Sequence, residues 1–161
     1  MGEAFETTAR FTDAAGLDSG AAARDADEVV RRIEADEAEA EAARLRFQVE
    51  GLPRAKADES VAGWLLASED VIDVRRAVVV TRHSSTGGST SLPGALYLTT
   101  RRLLLLGREL LSNELTEIEE LVVAGERLFL TLSDGVGLSI DASGPRLLRV
   151  QIAAAVASAR A

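Results

Sequence analysis

Cysteine is absent from the 161 residues. With it go disulfides, thiolate metal sites and cysteine nucleophiles, an absence that fits a reducing compartment. Histidine occurs once, as His83, in a Ser/Gly-rich stretch beside Ser84 and Ser85. A serine–histidine pair needs its base held rigidly by a third group, and a metal site needs several ligands, so neither chemistry is supported. Long apolar runs are missing too. The longest, Leu103–Leu106 and Ile152–Ala157, fall far below the roughly 20 residues that span a bilayer. The first thirty residues hold no apolar run, so no signal peptide or anchor is expected. The start, Met1-Gly2-Glu3-Ala4-Phe5-Glu6, lacks the Ser/Thr of a myristoylation signal. "STGGST" (85–90) lacks the lysine and the strand-to-helix setting of a phosphate loop. The acidic pairs Glu69-Asp70 and Glu119-Glu120 read as solvated strand ends. There is no internal repeat.

Positive charge is scarce where a polyanion would need it. The net charge is −8. Residues 1–62 hold 15 acids and 8 bases, and residues 63–161 hold 11 acids and 10 bases. An acidic front and a nearly neutral back argue against nucleic-acid binding and against simple adsorption to anionic membrane. What is present in quantity is apolar side chain, 47% of the residues, enough for a real core. A soluble cytoplasmic protein is expected.

Along the chain, residues 1–24 mix Thr, Asp, Gly and Ala without a clear period and read as a flexible tail. Residues 25–50 read as a helix, with Asp25 as cap and Glu28 in the capping-box position. Gly51 and Pro53 stop it. Its middle, "EADEAEAE" (34–41), offers only acids and alanines. Stepping from Val30 through Ile33 meets Glu37 and Arg44, so an a/d coiled-coil seam fails. The segment 25–57 is therefore an acidic helix and linker, tacked down at its ends or offering an acidic docking surface.

From residue 58 a second region begins, and its pattern turns β after Val61. Val71, Val74 and "AVVVT" (77–81) read as strand, "HSSTGGSTSLPG" (83–94) as a flexible loop. Residues 95–99 and 102–107 form a hairpin. "LTEIEELVV" (115–123) is a further, irregular strand. "RLFLTL" (127–132) and "VGLSI" (136–140) flank an Asp134-Gly135 turn. In that pair Leu128, Leu130, Leu132, Val136, Leu138 and Ile140 face inward, while Thr131, Gly137 and Ser139 face water. Pro145 opens a last amphipathic helix bearing Leu148, Ile152, Ala155, Val156 and Ala159 on one face.

Gly94-x-Leu96-Tyr97-Leu98-Thr99-Thr100-Arg101-Arg102-Leu103 resembles the "G-x-L-Y-L-T-[NS]-x-R-L" hairpin of GRAM-type and bacterial pleckstrin-homology-like (PH-like) domains. Ser68-Glu69 stands where that family starts with Gly-Glu, and "ELTEIEEL" resembles the strand that follows its hairpin. The resemblance covers about residues 63–161. It implies an α+β fold: a bent antiparallel β-barrel capped by the C-terminal helix, here preceded by the acidic helix. It also implies a domain that binds phosphoinositides, other lipids or peptides and does no chemistry.

Two candidate surfaces follow. In the family topology Arg82, His83 and Arg108 would meet at one barrel end, a site for an anionic lipid headgroup through convergent donors. The second surface is apolar. Leu103 and Leu105 point to one face of their strand, Leu104 and Leu106 to the other, and Val78 to Val80 repeat the situation. Burying each such side chain is worth roughly 1.5–3 kcal/mol, so Val79, Leu104 and Leu106 need a cover. Three are available: the C-terminal helix, a second chain, or the front helix folding back through Val29, Val30, Ile33, Leu45 or Phe47, the cover favoured here. The reading is a non-catalytic cytoplasmic adaptor or regulatory module. It has no cofactor or metal and no nucleic-acid partner. Its partner is an unidentified protein, with a second copy of the chain or an anionic lipid headgroup at the membrane periphery as alternatives.

Overall fold

The first helix, α1 (Glu6–Glu50), ends where Gly51 takes a φ of 76°, conformational space glycine enters without a Cβ penalty. In this computed structural model the backbone is described for residues 6–161 and the side chains for residues 19–161. The chain divides into two compact units, Met1–Ala35 and Asp36–Ala161. The tail expected over residues 1–24 lies, in its first five residues, outside the described ones. From Glu6 the backbone is helical, so Asp25 is an interior residue of α1 and not its cap. Alanine-rich sequence sustains a helix without any apolar period. In the first unit no described side chain is buried, and Glu28 and Arg32 form an exposed i,i+4 ion pair.

The second unit is α+β. After α1 come α2 (Glu59–Ala62), β1 (Val71–His83), β2 (Ser89–Thr99), β3 (Arg102–Gly107), β4 (Leu111–Glu114), a 3-10 turn (Leu115–Glu117), β5 (Ile118–Ala124), β6 (Arg127–Leu132), β7 (Gly137–Asp141) and α3 (Pro145–Arg160). The expected hairpins 95–99/102–107 and 127–132/136–140 are present, with Gly135 at a φ of 86° in the Asp-Gly turn. The 83–94 stretch differs from its expected loop. Only Ser84–Gly88 connects β1 to β2, and the rest pairs as strand, with Thr81 and Ser91 sharing a hydroxyl hydrogen bond of 2.9 Å across the ladder. Threonine and cross-strand hydroxyl pairs favour pleated structure despite the polar composition. The short β4 has no counterpart in the sequence reading.

All seven strands form one antiparallel sheet in the order β4-β3-β2-β1-β7-β6-β5. Its edges, β4 and β5, are separated in sequence by three residues, Leu115–Glu117. Opposite edges can be joined by so short a link only if the sheet curls until they approach. Leu111, Leu115 and Ile118 accordingly share one core with Val78, Val80, Leu128 and Ile140. No ladder joins β4 to β5, so the curl stays open. Two devices bend it. Ala77, at a φ of 55°, sits in the register shift of β1 between Arg75 and Val78. Gly94 and Gly107 face each other across β2 and β3, where a Cβ on either would run into the carbonyl of Leu106 or Pro93.

Helix α3 closes the inside with Leu148, Ile152, Ala155 and Val156. Its cap residue, Gly144, has no side chain to offer the first-turn amides. Asp36 of α1 supplies the missing acceptor: its Oδ2 accepts from Arg146 N at 2.7 Å and its Oδ1 from Leu147 N at 3.0 Å. The carboxylate is buried and lies 3.9 Å from the Arg146 guanidinium. From Asp36 the buried face of α1 continues through Ala40 and Ala43. Arg75 locks the same corner through Asp73, the Ser143 carbonyl and Gln151.

Candidate functional site

The three cationic candidates come to one end of the sheet but do not converge. Arg82 and His83 are consecutive strand residues, which point to opposite faces. Arg82 lines a concavity of about 480 Å³ with Ser84, Ser85, Ser89 and Thr90. His83 points the other way, with Nε2 3.2 Å from the Ser139 hydroxyl. Ser139, expected to face water, is buried beside it. The register pairs Arg82 with Thr90 and Gly107 with Gly94. Arg108, one residue beyond Gly107, therefore falls about 10 Å short of Arg82 along the strands.

Of the apolar candidates, Leu104 and Leu106 are covered from within the second unit. Leu104 is fully buried, Leu106 and Val79 partly so. Leu104 clusters with Val61, Val71 and Tyr97, and Ala57, Leu65, Val74 and Leu106 pack against that cluster. No described residue before Ala57 belongs to the cluster, while Val30 and Leu45, expected to serve, are exposed. The cover is a strap, residues 55–66, that crosses the outer face and carries the single turn α2. A one-turn helix leaves no periodic signature, which is why the sequence reading took this stretch for linker and domain start.

Polar bonds pin the strap. At its start Ala55 bridges to Val71. Asp58 caps α2 by accepting from Val61 N at 3.1 Å, accepts the Tyr97 hydroxyl at 2.8 Å, and lies 3.3 Å from Arg76. The Tyr97 hydrogen bond, reinforced by the Val61 amide and Arg76, holds the Asp58 carboxyl below its usual range against the opposing cost of partial burial. Burial first, then the Asp58 carboxylate, pushes the Tyr97 phenol above its usual range. At the strap's other end Glu69, its side chain wholly out of solvent, accepts Arg102 Nε on both oxygens at 3.0 and 3.1 Å. The same guanidinium donates to the Trp64 carbonyl and to Ser112. Sequence reasoning assigned none of these roles. The signal for Asp58 was available: a carboxylate three residues before Val61 is an N-cap spacing.

Helix α3 treats the β5 edge in a comparable way. Arg146 donates to the Gly125 carbonyl at 3.0 Å, Arg149 to Leu121 at 3.2 Å and Arg160 to Ile118 at 2.6 Å. Edge carbonyls that would invite another strand are thereby occupied. Among the described residues no group of three or more His, Asp or Glu side chains is gathered as a metal site, and no helix is long and apolar enough to cross a membrane. Two apolar features are also exposed. Trp64, half exposed, and Leu66 stand out from the pinned strap. Between the last turns of α1 and the outer side of α3 lies a groove of about 400 Å³, its floor built from Phe47, Val150, Ala153 and Ala157.

No family model matches the chain, and no curated protein matches it. Among solved structures, it is similar to the C-terminal domain of an unknown protein from Leishmania infantum, with 15% identity and a TM-score of 0.42 over 59% of this chain and 93% of that one. It is also similar to the inner membrane complex sub-compartment protein 3 of Toxoplasma gondii, with 9% identity and a TM-score of 0.39 over 68% and 98% of the two chains.

Proposed function

We propose that the chain is a non-catalytic binding module of GRAM/PH-like type, a cytoplasmic adaptor that holds another protein on its strap. One observation carries this reading: Trp64 stands half exposed on a backbone that Arg102 and the buried Glu69 hold still. A large apolar side chain presented without conformational freedom costs little entropy to bury, which is how the few dominant residues of protein interfaces work. The polar side chains that could have served chemistry are engaged elsewhere: Asp36 on α3, Asp58 on Tyr97, Glu69 on Arg102, His83 on Ser139.

Affinity capture with the full chain, run beside a Trp64→Ala variant, tests the reading. A stoichiometric protein retained by the wild type and lost by the variant, at unchanged unfolding temperature, is the expected result. No retained protein, or equal retention by both, refutes it. Trp64 is the sole tryptophan, so its emission should shift to the blue when the partner is added.

A second reading, capture of an anionic lipid headgroup, is favoured by one feature. Among the described residues the Arg82 side chain has no hydrogen-bonding or ionic partner, and it lines a concavity with Ser84, Ser85, Ser89 and Thr90. One guanidinium makes a weaker site than the convergent donors that phosphate recognition uses, so it ranks second. Co-flotation with anionic vesicles at low salt, abolished in Arg82→Ala, would raise it above the first, and absence of co-flotation removes it.

A further inference from the structure

Arginines of α3 occupy carbonyls along the β5 edge, but the β4 edge is left open. Which of its backbone groups are free follows from the register. Arg102 turns its N–H and C=O towards β2, where the Thr99 hydroxyl bonds both. The Leu115 N–H bonds the Arg101 carbonyl on the other side of β3. Bonding direction alternates along an antiparallel strand, so Leu103 and Leu105 serve β4 while Arg102 and Leu104 serve β2. Glu114 and Ser112 lie opposite Arg102 and Leu104, and therefore point their own N–H and C=O groups away from β3. Both residues are exposed, and among the described residues nothing bonds those four groups.

Side chains give this edge a chemistry. Ser112 and Glu114 share the outer face of the sheet with Arg102 and Leu104. The Arg102 guanidinium bonds both the Ser112 hydroxyl and the Trp64 carbonyl, so the half-exposed Trp64 belongs to the side of the sheet on which Ser112 lies. Glu114 is exposed and, among the described residues, forms no ion pair, because its cross-strand neighbour Arg102 is held by the buried Glu69. Asn113, between them, shares the inner face with Leu111, and its Nδ2 is buried without an acceptor. A native fold rarely leaves such a donor unmet.

We infer that the β4 edge takes up an extended segment of a partner protein, paired antiparallel with Ser112 and Glu114, whose three central residues are, in chain order, basic, polar and apolar. Every pair in this sheet is antiparallel, and strand addition of this kind supplies affinity through the main chain and specificity through alternate side chains. The basic residue falls opposite Glu114 and meets its carboxylate. The polar one falls opposite Asn113 and offers the acceptor that Nδ2 lacks. The apolar one falls opposite Ser112, on the side of Trp64. The inference rests on the reading of Trp64 as a contact residue, and names the kind of segment that would meet it.

The probe is the peptide acetyl-Thr-Val-Lys-Thr-Leu-Val-Thr-amide, titrated into the full chain. It should slow hydrogen exchange at the Ser112 and Glu114 amides of the wild type and shift Trp64 emission to the blue. Glu114→Pro removes one edge donor. Glu114 already has a φ of −66°, the value proline imposes, and its N–H bonds nothing in β3, so folding should survive. Binding should weaken about tenfold or more. Glu114→Gln keeps the N–H and loses the charge, and should weaken binding about two- to fivefold. A peptide N-methylated at its leucine loses the matching donor with the protein untouched, and should bind about tenfold more weakly even if Glu114→Pro unfolds. Absence of peptide binding, binding that leaves both amides unprotected, or binding indifferent to Glu114→Pro and to N-methylation overturns the inference. Protection of those amides that rises with chain concentration alone assigns the edge to a second copy and overturns it as well. The Trp64 reading is judged apart: a cell protein lost by Trp64→Ala but kept by Glu114→Pro leaves that reading standing and overturns this one.

Discussion

Replacing Asp36 by alanine should destabilise the second unit although it improves the helix that carries the residue. Alanine is the better helix former by up to about 0.7 kcal/mol, so local propensity favours the variant. The opposing loss sits on α3. Arg146 N and Leu147 N each lose a carboxylate acceptor, and the neighbouring cap residue, Gly144, has none to offer. Loss of an N-cap side chain costs about 0.5–2 kcal/mol. Here the cost falls at the upper end because Asp36 is buried and water does not readily replace it. The negative charge at a helix N-terminus adds ~0.3–1 kcal/mol. The Arg146 ion pair, at 3.9 Å and partly exposed, adds little. After subtracting the propensity gain, about 2 kcal/mol of stability should be lost, which lowers the midpoint of thermal unfolding by roughly 6–10 °C for a unit of this size.

Urea unfolding of wild type, Asp36→Ala, Asp36→Asn and the exposed control Glu39→Ala measures this. Asparagine keeps one acceptor and loses the charge, so it should fall about halfway. Glu39→Ala should stay within about 0.5 kcal/mol of wild type. Hydrogen exchange adds a local readout, with the amides of Arg146 and Leu147 losing protection first in Asp36→Ala. If Asp36→Ala matches Glu39→Ala, or those two amides exchange no faster, the carboxylate is not the cap of α3 and the reasoning fails.

Glu69→Ala should cost about 3 kcal/mol, because it leaves the largely buried Arg102 guanidinium without its carboxylate; adding Arg102→Leu should recover part of that loss, and a strictly additive double variant would contradict a coupled pair. Ser68 holds a φ of 67°, where a side chain costs about 1–2 kcal/mol and glycine's own entropic cost is about 0.5–1; Ser68→Gly should raise the urea midpoint modestly, and a lowered midpoint would speak against the strain. The chain has one tyrosine, so phenolate absorbance reports Tyr97 alone. Its midpoint should lie above the ordinary 10.0 in the folded chain and fall towards it in Asp58→Ala. Because folding raises this pKa, the stability it contributes is whole below about pH 10 and lost as pH rises through the folded value. Asp58 works in the opposite sense. Held below its ordinary 3.8, it contributes above that pH and loses its contribution as pH falls through the folded value. A tyrosine midpoint indifferent to Asp58 would contradict the bond.

What could be read in the sequence was periodic. The β2–β3 and β6–β7 hairpins alternate with a period of two around turn residues, and α3 repeats its apolar face at helical spacing, so each was legible from neighbours a few residues apart. The doubly leucine-faced β3 was legible as a strand needing cover, and the cover exists. Its source was not legible, because the strap buries its apolar residues over a single turn, too few for any period. The front of α1 misled in the opposite direction: alanine carries a helix without a stripe, so the absence of a pattern before Asp25 was no evidence of a tail.

The charged residues explain the rest. Asp36 meets Arg146 across 110 positions, Asp58 meets Tyr97 across 39 and Glu69 meets Arg102 across 33. In each pair a group that composition counts as surface is bonded inside the fold, and nothing local distinguishes it from its solvated neighbours: Asp36 stands in a run of acids and alanines that reads as uniformly wet. Arg82, His83 and Arg108 do not converge on one point, and the reason is geometric. Being near one end of a sheet is a property of topology, which the sequence order conveyed. Facing one point is a property of strand phase and register, and Arg82 and His83, adjacent in a strand, were bound to diverge. The alternation that puts Leu104 and Leu105 on opposite faces of β3 separates Arg82 from His83 in β1 in the same way.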